Sequence, residues 1–225
     1  MIKILTVYGT MLLTALGRTI LLALLGLFFA CFIGLAFGLL GVVKNRACNI
    51  ISQIFVDIVR GVPMIVLAFF VYFGIPYLFN TIIGGFSVTL TALQAGTVCL
   101  ALNCGAYMAE IIRAGIESVD VGQMEAARSL GLSYGMAMRK VVLPQAIRTM
   151  IPTFINQFII TLKDTSILSV IGFPELVNTA KTVVANTMDS FSVWTIVGIM
   201  YLIVITILSK VAKALERRLS YDRKK

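Results

Sequence analysis

The sequence predicts an all-α integral membrane protein with five spans, and three observations carry that reading. Of the 225 residues, 59% are hydrophobic and only 13% charged, with a mean hydropathy of +0.98. A soluble domain of that composition has too few polar residues to cover its own core, a difficulty that lipid as solvent removes. Five regions meet or approach the ~20 apolar residues a span requires. Finally, lysine and arginine crowd into alternate gaps between those regions.

The spans are expected at residues 19–43, 62–79, 88–109, 149–172 and 191–209. The first ends at Lys44 and Arg46, the second follows Asp57 and Arg60, and the third stops at Glu110. The apolar stretch before Arg18 is short and reads as an interfacial helix; no small-residue cleavage site marks it as a signal peptide. The fourth region is unusual, because only fourteen uncharged residues separate Arg148 from the adjacent charges Lys163 and Asp164. Two readings stand: a discontinuous helix lining a translocation route, or a lysine that snorkels at the outer interface. Gly34, Gly38 and Gly41 give the first span a small-residue face that admits close helix packing.

With an outside N-terminus, only Lys3, Arg18, Lys163 and Lys181 of the 19 basic residues lie outside, which predicts an N-out, C-in topology in the cytoplasmic membrane. The basic tail also favours anionic lipid headgroups. The net charge of +9 therefore points to the membrane and not to nucleic acid, since no basic stripe with interleaved aromatics occurs. Cys31, Cys48, Cys99 and Cys104 form no CxxC pair and read as small packing residues. With no histidine and no acid–base cluster, no catalytic residue and no metal site is predicted.

The most ordered stretch is the inside loop, residues 110–148. Ser118 to Gly122 reads as a turn, and Gln123 to Leu130 as a short helix closed by Gly131. Ser133 then caps a second helix expected to stop at Leu143, before Pro144. Ala126 and Ala127 are small enough to let this helix sit deep in a partner's groove. Leu130 offers an apolar anchor, while Glu125 and Arg128 can pair with each other or with partner charges. A self-packed surface helix is the alternative.

Glu125-Ala126-Ala127, three residues, Gly131, nine residues, then Val141, one residue and Leu143-Pro144 resembles the EAA loop of ATP-binding-cassette importer permeases; valine at 141 stands where isoleucine is usual. Arg60-Gly61-Val62-Pro63, Gly105-Ala106-Tyr107-Met108-Ala109-Glu110, Gly122-Gln123, Pro152 with Asn156-Gln157, Lys163-Asp164-Thr165-Ser166 and Glu175-Leu176 extend the likeness to the polar amino acid branch, over nearly the whole chain.

The resemblance implies a type I importer transmembrane domain spanning residues 1–225, in which Gly122, Glu125, Ala126, Ala127, Leu130 and Gly131 couple to an ATPase. This chain has no phosphate loop, so ATP and Mg belong to that partner and no cofactor is expected here. An extracytoplasmic binding protein would deliver the substrate, and a second permease copy or a paralogue would complete the path. Substrate contacts are expected among Asn103, Asn156, Gln157, Lys163, Asp164, Thr165 and Ser166, because a zwitterion needs a partner for each charge; tying helices together by hydrogen bonds is the alternative role for these residues. A secondary transporter is disfavoured by the short chain and the absence of an internal repeat.

Overall fold

The computed structural model describes residues 1–43, 45–84 and 87–221, with side chains through Ala214. Lys44, Arg217, Arg218, Arg223, Lys224 and Lys225, all used in the topology argument, lie outside the described side chains. The helices are α1 (Ile2–Leu40), α2 (Arg46–Gly61), α3 (Met64–Ile83), α4 (Ala92–Glu117), α5 (Val121–Ser129), α6 (Tyr134–Ile171), α7 (Leu176–Thr187) and α8 (Ser190–Tyr221). Five of them, α1, α3, α4, α6 and α8, are long and apolar enough to cross a membrane.

The organising contact is a parallel seam between α1 and α4. A Cβ added to Gly26 would lie 2.6 Å from Leu100 Cβ, one at Gly38 would lie 2.8 Å from Ile112 Cβ, and one at Gly34 would collide with Met108 Cβ. On the facing helix, a Cβ at Gly105 would lie 2.7 Å from Ile33 Cγ2. Gly26, buried Ala30, Gly34 and Gly38 recur every four residues, so one bare stripe of α1 receives the larger side chains of α4. Lipid gives helices no hydrophobic reason to associate; close van der Waals packing of this kind supplies it. Cys99 and Cys104 are fully buried beside the seam, as small packing residues should be.

Three readings need correction. Residues 2–18 are no separate interfacial helix but the first half of α1. Ile4, Leu12 and Ala15 bury against α7 and α8, while Arg18 stays exposed, so the charge interrupts nothing. At 39 residues α1 is about 58 Å long, well beyond a ~30 Å hydrocarbon core, and it must tilt or protrude.

The segment between the first two spans, on which the sequence carried no expectation, is ordered. It forms α2, capped by Asn45 Oδ1 accepting from the Ala47 amide at 2.9 Å and stopped by extended Val62 before Pro63. Helix α6 does not stop at Pro144, because a π-helical turn at Met138–Val142 widens the winding just before the ring enters. Nor is the chain discontinuous at Lys163-Asp164. It stays helical, tightens to a 3₁₀ helix over Thr165–Ile171, and ends at Gly172 with φ +77°.

Candidate functional site

Two regions carry the predicted functional residues, and the first is α5. Helix α4 runs on to Glu117, where Arg113 grips Glu110 (Nε–Oε2 3.1 Å) and Glu117 (Nη1–Oε2 2.6 Å), bracing the last turns before the chain reverses. Asp120 then caps α5, its Oδ1 accepting from the Gly122 amide at 2.6 Å. A Cβ at position 122 would sit 2.8 Å from that same oxygen, so glycine is what lets the cap close. The helix therefore starts at Val121, within the stretch read as a turn.

The far end of α5 is a Schellman motif: the Gly131 amide donates to Arg128 O at 3.0 Å and the Leu132 amide to Ala127 O at 3.3 Å. Gly131 takes φ +84°, the left-handed conformation that glycine adopts without penalty. The predicted stop is thus met. Ser133 caps the next helix through the Met136 amide at 3.4 Å, and Gln145 Nε2 reaches Gln123 Oε1 at 3.5 Å, tying α6 back to α5.

The two alanines point to different sides. Ala127 is buried and Met124, half-buried, packs on the cluster of Ile116, Val142, Ala146 and Met150, whereas Gly122, Glu125, Ala126 and Ser129 form the outward face. Leu130 projects with 84% of its surface exposed. Ala127, expected as a groove contact, is thus covered within this chain. Ala126 and Leu130 are exposed.

The second region is α6 together with Asn103 of α4, and the seven expected path residues do not share one face. Asn156 and Lys163, one heptad apart, are exposed; Thr149 and Thr153 extend the same polar stripe. Asp164 and Ser166 are half-buried, and Ser166 Oγ donates to Lys163 O at 2.7 Å. Gln157 is buried with no partner for Nε2, and the Cys104 thiol lies against it and Thr161. Thr165, also buried, donates to Leu162 O at 2.7 Å, and Asn103 Nδ2 lies 3.8 Å from Met64 Sδ. Asn103, Gln157 and Thr165 are thus buried within the chain, while Asn156 and Lys163 are exposed.

A family description fits this arrangement. The binding-protein-dependent transport system inner membrane component family matches residues 26–221. The chain belongs to this family. It is the membrane-spanning permease subunit of an ABC importer, a class whose ATPase activity resides in a separate subunit. Among the relatives of this permease is the glutamine transport system permease protein GlnP of Escherichia coli (strain K12), 35% identical over 201 residues and covering 89% of each chain.

Its fold matches a solved amino acid ABC transporter crystallised with histidines, with a TM-score of 0.85, 34% identity and coverage of 94% of this chain and 95% of that one. An inward-facing MetNI methionine ABC transporter shares the fold at a TM-score of 0.77 and 20% identity, covering 94% and 97% of the two chains.

One polar node of the permease escaped sequence reasoning. Glu175 is fully buried and caps α7, accepting from the amides of Val177 (2.8 Å) and Asn178 (2.6 Å) and from Tyr201 Oη (3.3 Å). Next to it Thr19 Oγ1 accepts from the Leu176 amide at 3.0 Å and donates to Ala15 O, so α1, α7 and α8 meet at one point. Lys181 Nζ donates to Ser169 Oγ at 3.0 Å and adds a tie to the 3₁₀ segment. Burial pushes the Glu175 carboxyl above the usual carboxylate range, although the hydrogen bonds of Val177, Asn178 and Tyr201 and the charge of Lys181 pull it down. The only sequence signal was the Glu175-Leu176 pair, which carries no hint of partners 26 and more than 150 residues away.

Proposed function

We propose that this permease carries a polar amino acid across the cytoplasmic membrane by alternating access, driven by a cytoplasmic ATPase docked on α5 and fed by an extracytoplasmic binding protein. The observation that carries this is the division of labour on α5. Met124 and Ala127 lock inward, leaving a flat outward strip of Gly122, Ala126 and Ser129 with Leu130 projecting beside it. A helix so braced by Arg113, Asp120 and Gly131 transmits a push to α4 and α6, which it joins, instead of absorbing it. The relative named for glutamine transport and the transporter solved with histidines support an amino acid as the cargo.

The route runs along the exposed polar stripe of α6. Thr149, Thr153, Asn156 and Lys163 cannot face hydrocarbon at low cost, so they face water or a second permease, a copy of this chain or a paralogue. Lys163 and Asp164 offer the two charges that a zwitterion requires. The basic residues near Arg148 and beyond Lys210 put the α5 side and the C-terminus in the cytoplasm and the N-terminus outside.

The test is co-purification of the tagged permease with its ATPase in mild detergent, followed by substrate-stimulated ATP hydrolysis in vesicles. Leu130→Glu should remove the ATPase from the complex while leaving permease yield unchanged. ATP-independent uptake driven by an ion gradient, with no ATPase recovered, would overturn the reading.

A further inference from the structure

Beyond its polar stripe and its buried face, α6 has a third side. Ile155, Ile159 and Leu162 of α6 join Ala23 and Leu24 of α1 and Val211 of α8 in walling a groove of about 320 Å³. All three walls are membrane-spanning helices. At 3.6 residues per turn, the groove side of α6 lies about 130° around the helix from the stripe of Thr149, Thr153 and Asn156. A second permease that covers the polar stripe therefore leaves this groove to lipid.

The end of the groove marked by Ile155 and Val211 is cationic. Arg148 precedes Ile155 by one heptad, on the same side of α6 and about 10 Å along its axis. Its side chain is exposed and pairs with no described carboxylate; Arg113 makes the only ion pairs among the described residues. A purely apolar slot in a membrane helix bundle, opening toward an unpaired guanidinium at one membrane face, has the chemistry of an acyl chain beneath a phosphate.

We propose that the groove seats one acyl chain of an anionic phospholipid, whose phosphate is met by Arg148. The C-inside orientation argued above assigns this lipid to the inner leaflet; the site itself does not depend on that assignment. A bound chain would wedge α8 against α1 and α6 close to where α6 leaves the coupling loop, so headgroup charge would bear on how α6 moves.

The chain contains one tryptophan, Trp194, so a reporter is readily placed. In a Trp194→Phe background, Leu208→Trp sets an indole in the groove wall. The full-length chain is reconstituted into vesicles containing phosphatidylglycerol or phosphatidylcholine with brominated acyl chains. Phosphatidylglycerol should quench the reporter at a mole fraction at least ~3-fold lower than phosphatidylcholine, and Arg148→Gln should erase the difference. Ile159→Trp is the second reporter, should Leu208→Trp not fold. Equal quenching by the two lipids would mean bulk lipid only, and absence of quenching by either would mean that protein fills the groove. Either result overturns the proposal. Topology is read separately by side-specific cysteine labelling, so a reversed orientation would change the leaflet without touching the lipid preference.

Discussion

The α1–α4 seam and the helix α5 are built from the same small residues for opposite purposes. In the seam, Gly26, Gly34 and Gly38 vanish beneath Leu100, Met108 and Ile112, and every missing Cβ is filled by a neighbour. On α5, Gly122 and Ala126 stay uncovered, and the helix is held by caps and by its Met124–Ala127 side instead. Smallness creates adhesion within the first pair of helices and, in the function proposed above, vacancy for a partner on the other. The difference lies in what the surroundings supply, which no local pattern reveals.

The largest expected effect breaks the first half of that contrast. Gly34→Leu places a side chain where even a Cβ collides with Met108, between two rigid helices that cannot yield without parting. Overpacking of this kind costs about 3 kcal/mol or more, and the variant should fail to accumulate in membranes. Gly9→Leu, on the same helix but with nothing near its Cβ, should accumulate normally by immunoblot.

Next comes α5, where neighbouring alanines should fail in different ways. Ala127→Glu forces a carboxylate into the packing between α5 and the start of α6, and should loosen the loop by about 2–3 kcal/mol, seen as faster amide exchange across residues 121–132. Ala126→Glu should leave exchange unchanged yet weaken ATPase binding by roughly 30-fold, the loss expected at a central interface position. If the two variants behave alike in both assays, the assignment of inner and outer faces is wrong.

What could be read in the sequence follows the same division. Hydropathy finds the centre of each span, since lipid demands ~20 apolar residues wherever they pack. It misses α2, because Ser52, Gln53 and Asp57 dilute an apolar stripe whose period is helical. Arg18 misplaces the start of α1, as a charge on the exposed side of a long helix looks like a boundary in one dimension. Pro144 misplaces the end of a helix, because a π turn five residues long can absorb the ring. The EAA pattern marks out α5 but not the phase of its residues about the axis. That phase is set by Ile116, Val142 and Met150, which lie on other helices.

Glu175 tests a region that joins helices by polar contacts where the seam uses shape. Glu175→Ala removes the cap of α7 and leaves Tyr201 without its acceptor, and should lower stability by about 1–3 kcal/mol in detergent. Glu175→Gln separates charge from shape. The native carboxyl is held above its ordinary range by burial, so the folded protein keeps this proton more tightly than the unfolded chain. Its stabilising contribution is complete at acid pH and declines as pH rises through the raised value. Thermal unfolding followed from acid to neutral pH should therefore show a shallower decline in the glutamine variant. An unchanged slope would mean that other carboxylates set the pH response.

The smallest effect sharpens the comparison at the C-terminal end of α5. Gly131 holds φ +84°, yet an added Cβ there meets nothing within 4 Å, so Gly131→Ala isolates backbone strain from any clash. The left-handed conformation costs an alanine about 1 kcal/mol, and Gly131→Asn should recover part of it because asparagine tolerates that region better. The strain falls on the Schellman bonds from Gly131 and Leu132, so their amides should exchange faster in the alanine variant, while Met108 and Ala109 in the seam stay protected. Coupling should fall only in proportion to the population of frayed helix, a few-fold at most. A coupling loss as large as that of Ala126→Glu would mean that Gly131 touches the ATPase itself and does more than end the helix that does.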